Sequence, residues 1–149
     1  MYGETDVMRR RVGQLREQGV DIRQLADQLV ATTDSVSWTG RAAAAMRERA
    51  RERATALREC AQHYDAAADA LDRHADDVDH LKDAIAQRER KAGALVADAR
   101  GRATRTDSLL ERDTGPGPSE EDLQDRLLTG FAPPPSGHRD WLTVELPGL

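Results

Sequence analysis

Aromatic side chains are nearly missing from this chain. One Phe, two Tyr and two Trp among 149 residues supply too little bulk for a thick globular core, and the 38% hydrophobic content is carried mostly by Ala and Leu. The single cysteine, Cys60, excludes an intrachain disulfide and any multi-cysteine metal site. No run approaches the ~20 apolar residues of a membrane span. Met1-Tyr2-Gly3-Glu4-Thr5-Asp6 carries no basic region leading into an apolar stretch, so neither a membrane anchor nor a general secretory signal is expected. Neither sign of charge dominates, because 33% charged residues cancel to a net charge of -5. That balance is typical of exposed helices rather than of a nucleic-acid binder. Glycine and proline are absent from residues 41 to 92.

What is present is helical repeat. Met8, Val12, Leu15, Gly19, Ile22, Ala26, Leu29, Thr33 and Val36 recur with 4,3 spacing, a heptad seam in which every second member is mostly small. Small residues let a partner helix approach closely. Gly13 and Gly19 each cost roughly 1 kcal/mol relative to Ala in a helix interior, so fraying or a bend is expected near Gln18-Gly19-Val20-Asp21. The seam resumes as Ala43, Ala50, Leu57, Tyr64, Leu71, Val78, Ile85 and Ala92. Its second position is mixed: Met46, Arg53, Cys60, Ala67, His74, Leu81, Arg88 and Leu95. The adjacent position reads Ala54, Ala61, Ala68 and Ala75, an alanine groove along one side.

This pattern predicts an all-α fold: an elongated antiparallel helical hairpin with a long second helix and a partly disordered C-terminal tail. The hairpin domain spans 1–113, with helix 1 at about 5–33, a turn at 34–40 and helix 2 from about 41 to 100 or beyond. Gly93 and Gly101 weaken the long helix, and Gly115-Pro116-Gly117-Pro118 breaks it. A helix over 41–92 would be ~75 Å long against ~45 Å for helix 1. Val78, Leu81, Ile85 and Leu95 therefore overhang, and a second chain or the carboxyl segment must cover them. The remainder, 114–149, reads as a linker, a short helix over 119–129 opened by Ser119 and an acidic first turn, and a Pro-rich tail. After Pro133-Pro134-Pro135, Trp141-Leu142-Thr143-Val144-Glu145-Leu146 alternates as a strand or docking peptide would. Trp141, Leu142, Val144 and Leu146 are the expected docking residues; the alternative is that Trp141 and Leu146 fold back over the end of helix 2.

Between the two heptad helices lies Trp38-Thr39-Gly40, followed by Arg41-Ala42-Ala43-Ala44-Ala45-Met46. A large aromatic in a polar reversal, with Gly supplying backbone freedom, is the most distinctive local feature. Over roughly residues 5 to 90 the chain resembles the Trp-x-Gly (WXG, ESX-like) family of type VII secretion substrates. The resemblance implies antiparallel four-helix assembly, as a homodimer or as a heterodimer with a related protein. It also implies dealings with a secretion ATPase or a toxin, and export without a cleaved signal peptide from a cytoplasmic pool. Trp38 and Gly40 would be the inspected turn; Leu15, Ile22, Leu29, Leu57, Tyr64, Leu71, Val78, Leu81 and Ile85 would form the seam and partner surface. Family members often carry a Tyr followed four residues later by Asp or Glu. Here Tyr64 is followed at that interval by Ala68, with Asp69 one step late. The export signal is then in a partner, in another form, or absent.

Other candidates read as surface. His63, His74 and His80 lie in an acidic stretch in which His74 with Asp77 and Asp76 with His80 have the spacing of two metal ligands, a pattern that helical surfaces produce by chance. No metal is expected. Arg41, Arg47, Arg49, Arg51, Arg53 and Arg58 interleave with Glu48, Glu52 and Glu59 and no aromatic, which argues for intrahelical pairing and against nucleic acid. The basic start and acidic middle of helix 2 would also suit alignment of two antiparallel copies. No nucleophile-base constellation and no phosphate loop is recognisable, so neither catalysis nor a cofactor is expected. A cytosolic coiled-coil adaptor or chaperone for a client protein is the rival function.

Overall fold

The computed structural model describes residues 3–110 and 119–149, with side chains described for 4–105 and 119–149. It is all-α: α1 (Gly3–Ser35), α2 (Arg41–Leu110), α3 (Glu120–Thr129) and a short 3₁₀ turn (Arg139–Leu142), with no strand among the described residues. The Gly115–Pro118 break and the expected domain boundary at 113/114 lie outside the described residues. The chain forms two compact units, Met1–Asp79 and His80–Leu149, which divide within α2. The reason is burial: the apolar residues of the carboxyl segment pack on α2 beyond His80 and draw that half of the helix into their own unit.

In the first unit α1 and α2 pack antiparallel through a column without bulk. Thr5, Val12, Ala26 and Thr33 are buried on α1, with Gly19 in the same column, and Ala54, Ala61, Ala68 and Ala75 are buried on α2. A Cβ placed on Gly19 would lie 3.4 Å from the Ala61 carbonyl oxygen, which fixes the register. Stepping by heptads in opposite directions sets Val12 against Ala68, Ala26 against Ala54 and Thr33 against Arg47. The alanine groove is thus the contact surface. The column beginning with Met46 is not, since Met46, Arg53, Cys60, Ala67, His74 and Leu81 are all exposed. Nor is α1 interrupted at Gly19, which lies inside the continuous helix Gly3–Ser35. The absent side chain allows the close approach, and packing offsets the poor helix propensity of glycine.

The second unit answers the overhang of helix 2. α2 continues through Gly93 and Gly101 to Leu110. α3 is opened by a capping box in which the Ser119 hydroxyl accepts from the Asp122 N–H while the Asp122 carboxylate accepts from the Ser119 N–H at 2.8 Å. Its Asp125 receives both Nε (2.9 Å) and Nη2 (2.6 Å) of Arg102. Leu128 is buried on α3, and Ala99 on α2. The segment after Gly130 then folds back, forming a cluster of Ile85, Ala92 and Trp141 with Phe131, Val144, Leu146 and Leu149 packed against it.

Candidate interaction surfaces

The turn joining α1 to α2 is held by its backbone and by one arginine. Gly40 has φ +104°, a conformation that L side chains rarely adopt, and its carbonyl starts the helix by accepting from the Ala44 N–H at 3.1 Å. Arg47, half-buried on the second turn of α2, donates from Nη2 to the carbonyls of Val36 (3.0 Å) and Trp38 (2.9 Å). The Trp38 residue is 49% exposed, with Val36 and Met46 similarly open.

The two flanks of the hairpin differ in character. In an antiparallel pair the helices are related by a two-fold axis normal to their common plane, an operation that keeps each residue on its face. At about 100° per residue, the position three after the buried column falls roughly 60° to one side, and the position four after it roughly 40° to the other. Met8, Leu15, Ile22 and Leu29 therefore share one face with Leu57, Tyr64, Leu71 and Val78, all half-buried. Arg9, Arg16 and Arg23 share the opposite face with Arg58, Asp65, Asp72 and Asp79. That second face is an ion-pair ladder. Arg9 meets Asp76 at 3.1 Å and Asp79 at 2.8 Å, and Arg16 meets Asp69 at 3.2 Å and Asp72 at 3.1 Å. Arg23 pairs with Asp65, Arg58 with Asp27 at 2.7 Å and Arg51 with Asp34 at 3.6 Å. Hydrogen bonds donated to Asp79 and Asp69, foremost among their partners, raise the pKa of Arg9 and Arg16 respectively. The acidic middle of helix 2, expected to suit alignment of two copies, is engaged within its own chain. Each exposed pair adds little stability, but a repeated ladder penalises a slipped register.

Of the remaining seam residues, Leu81 is 51% exposed and Ile85 is buried beneath the carboxyl segment. That segment corrects the expectation of a free docking peptide. Trp141 is 3% exposed, its ring edge-to-face with Phe131 at 6.1 Å, and its indole N–H donates to the Pro135 carbonyl at 3.1 Å. Arg88 donates from Nε to the Trp141 carbonyl (2.8 Å) and from Nη2 to that of Val144 (2.5 Å), while Glu89 accepts from the Gly137 N–H at 3.2 Å. Residues 139–142 form a 3₁₀ turn where alternation had suggested a strand. Val144 and Leu146 pack inward and Leu142 remains exposed. The alternation is produced by a segment lying across one helix, with no neighbouring strand to pair with.

Three things escaped the sequence reading: the paired ladder, the role of Arg47 and the role of Arg88. The first has a visible signature, since Arg9, Arg16 and Arg23 share the stride of Asp65, Asp72 and Asp79. Among the described residues no group of three or more His, Cys, Asp or Glu is placed to hold a metal ion, and no helix is long and apolar enough to cross a membrane. No protein-family model, curated protein or solved structure matches the chain.

Proposed function

We propose that this chain is a non-enzymatic interaction protein of the Trp-x-Gly type, a type VII secretion substrate or a partner of one, working through helical packing surfaces. The observation that carries this reading is the tip of the hairpin. Trp38 is 49% exposed between two heptad helices, on a turn where Gly40 takes a positive φ and Arg47 bonds to the backbone. An exposed Trp costs solvation that a polar loop residue would avoid, and Trp is favoured where a partner desolvates it. The half-buried face of Leu15, Ile22, Leu29, Leu57, Tyr64 and Leu71 suits a second hairpin, either another copy or a relative, completing a four-helix assembly.

The test is export. Chain expressed beside an ESX-type ATPase is expected in the culture medium, and Trp38→Ala is expected to keep it in the cell while circular dichroism shows unchanged helix content. Retention of the unaltered chain in the cell, or collapse of the helices in Trp38→Ala, counts against the reading.

A further inference from the structure

The column of α2 that faces α1 changes chemistry at one place. It reads Ala75, Ala68, Ala61 and Ala54 and then, one heptad nearer the turn, Arg47. Each alanine is buried because a helix lies opposite it. Arg47 faces the level of Thr33, where α1 has only Asp34 and Ser35 left before it ends. Beyond that end the opposing surface is irregular backbone whose carbonyls have no helical partner. Residues 36 to 39 adopt no regular structure, and the last turn of α1 carries no basic residue of its own.

From this juxtaposition we infer that Arg47 is the positioning residue of the Trp-x-Gly turn: its guanidinium ties the carbonyls of Val36 and Trp38 to α2 and so presents the Trp38 indole, already ordered, to a partner. The inference rests on the functional reading above and adds to it the group that holds the recognition element.

The arrangement follows from hydrogen-bond chemistry. One Nη2 carries two N–H groups, and the two carbonyls it reaches flank Ser37, so a single side chain fixes the backbone on both sides of that residue. Bonds from a charged donor are the stronger kind. Among the described residues no other side chain bonds to the backbone between Val36 and Thr39, and Val36, Ser37 and Trp38 are all exposed, so the turn is not buried in a core. Ordering in advance matters because a partner that must itself freeze a loop loses affinity in doing so. A lysine could occupy the same column, but its ammonium is a rotatable point charge on a flexible stem, whereas the guanidinium holds the two N–H groups of Nη2 in one fixed plane.

The test compares the full-length chain with Arg47→Ala, Arg47→Lys and, as a control, Arg49→Ala. The first readout is the ¹⁵N backbone order parameter at Ser37, Trp38 and Thr39. Values near about 0.8 in the unaltered chain and in Arg49→Ala should fall below about 0.6 in Arg47→Ala, with Arg47→Lys between, while helix content holds. The second is export into the medium, expected to drop in Arg47→Ala toward the level of Trp38→Ala and to recover partly in Arg47→Lys. Unchanged order at 37–39 in Arg47→Ala overturns the inference. So does a loosened turn that is exported normally when Trp38→Ala is not. If Trp38→Ala is itself exported normally, the functional reading fails, and the order parameters alone decide Arg47: loosening supports its positioning role, and unchanged values overturn it.

Discussion

Along Met1–Asp79 the apolar side of α2 is covered by another helix, whereas along His80–Leu149 it is covered in part by a segment with almost no regular structure. The two covers need different residues. A helix satisfies its own backbone, so it can lie on a column of Ala and Gly, where closeness rather than bulk supplies the contact, and long flanking side chains meet as ion pairs. An irregular segment brings carbonyls and amides without partners. It therefore needs one large anchor, Trp141, and polar groups on the helix, Arg88 and Glu89, to bond its backbone. Bulk is spent where regularity is missing.

The strongest way to break the first cover is to give its column bulk. A Cβ on Gly19 already stands 2.9 Å from an Asp65 carboxylate oxygen and 3.4 Å from the Ala61 carbonyl oxygen, so Gly19→Leu has no room without separating the helices. It is expected to abolish the cooperative thermal transition of the hairpin while the emission of buried Trp141 stays blue-shifted. The converse change, Trp141→Ala, should cost about 3–5 kcal/mol in the second unit. Amide exchange is expected to accelerate at 85–92 and 131–149 and to stay protected at 12–33. If either substitution melts both regions equally, the two covers are not independent.

How much of this was legible depends on the element. The helix positions followed from strides of seven and from local chemistry: the Trp-x-Gly reversal, the Ser119 cap and the acidic turn after it all fall where the structure has them. Which column of α2 faces α1 was harder to read. Apolar bulk at Leu57, Tyr64 and Leu71 drew attention to the flank, while the innermost surface belonged to alanines whose only qualification is size. The fold-back of the tail was open for a different reason: Trp141 and Leu146 suit a partner and their own helix equally well by composition. Arg88 and Glu89, which bond to the backbone of the segment, look in sequence like any solvated pair. Arg47 was hidden likewise among neighbouring arginines, and its meaning emerges only from the register that sets it opposite Thr33, in the last turn of α1.

Smaller effects sharpen the comparison. Arg88→Met keeps the aliphatic stem but leaves the carbonyls of Trp141 and Val144 without their donor, an expected loss of about 1–3 kcal/mol confined to the second unit and read by chemical denaturation. Acid should act on that unit through α3. The Ser119 backbone N–H, followed by its hydroxyl, lowers the pKa of Asp122; the Arg102 guanidinium lowers that of Asp125 and has its own raised in return. A folded-state carboxylate pKa below the ordinary value contributes stability that is complete above that value and is lost as pH falls through the lower one. Lowering the pH from 7 to 5 should therefore leave α3 in place. Below the ordinary aspartate value of 3.8 its capping box and its tie to α2 should weaken together, as followed by NMR at Leu128, and Asp125→Asn should remove much of the response.

The gentlest test uses the second glycine of α1. Gly13 is exposed and a Cβ there would meet nothing within 4 Å, so Gly13→Ala changes only the conformational freedom of the chain and should stabilise the hairpin by about 0.5–1 kcal/mol. Gly19→Ala brings the same gain but sets it against contact with the Asp65 carboxylate, whose displacement would disturb its pairing with Arg23, and with the Ala61 carbonyl oxygen at 3.4 Å. If close approach is what defines the helical cover, Gly13→Ala must raise the melting temperature and Gly19→Ala must fall short of it. Equal gains at the two positions would mean that the helices stand further apart in solution than an alanine column requires, and the distinction between the two covers would lose its physical basis.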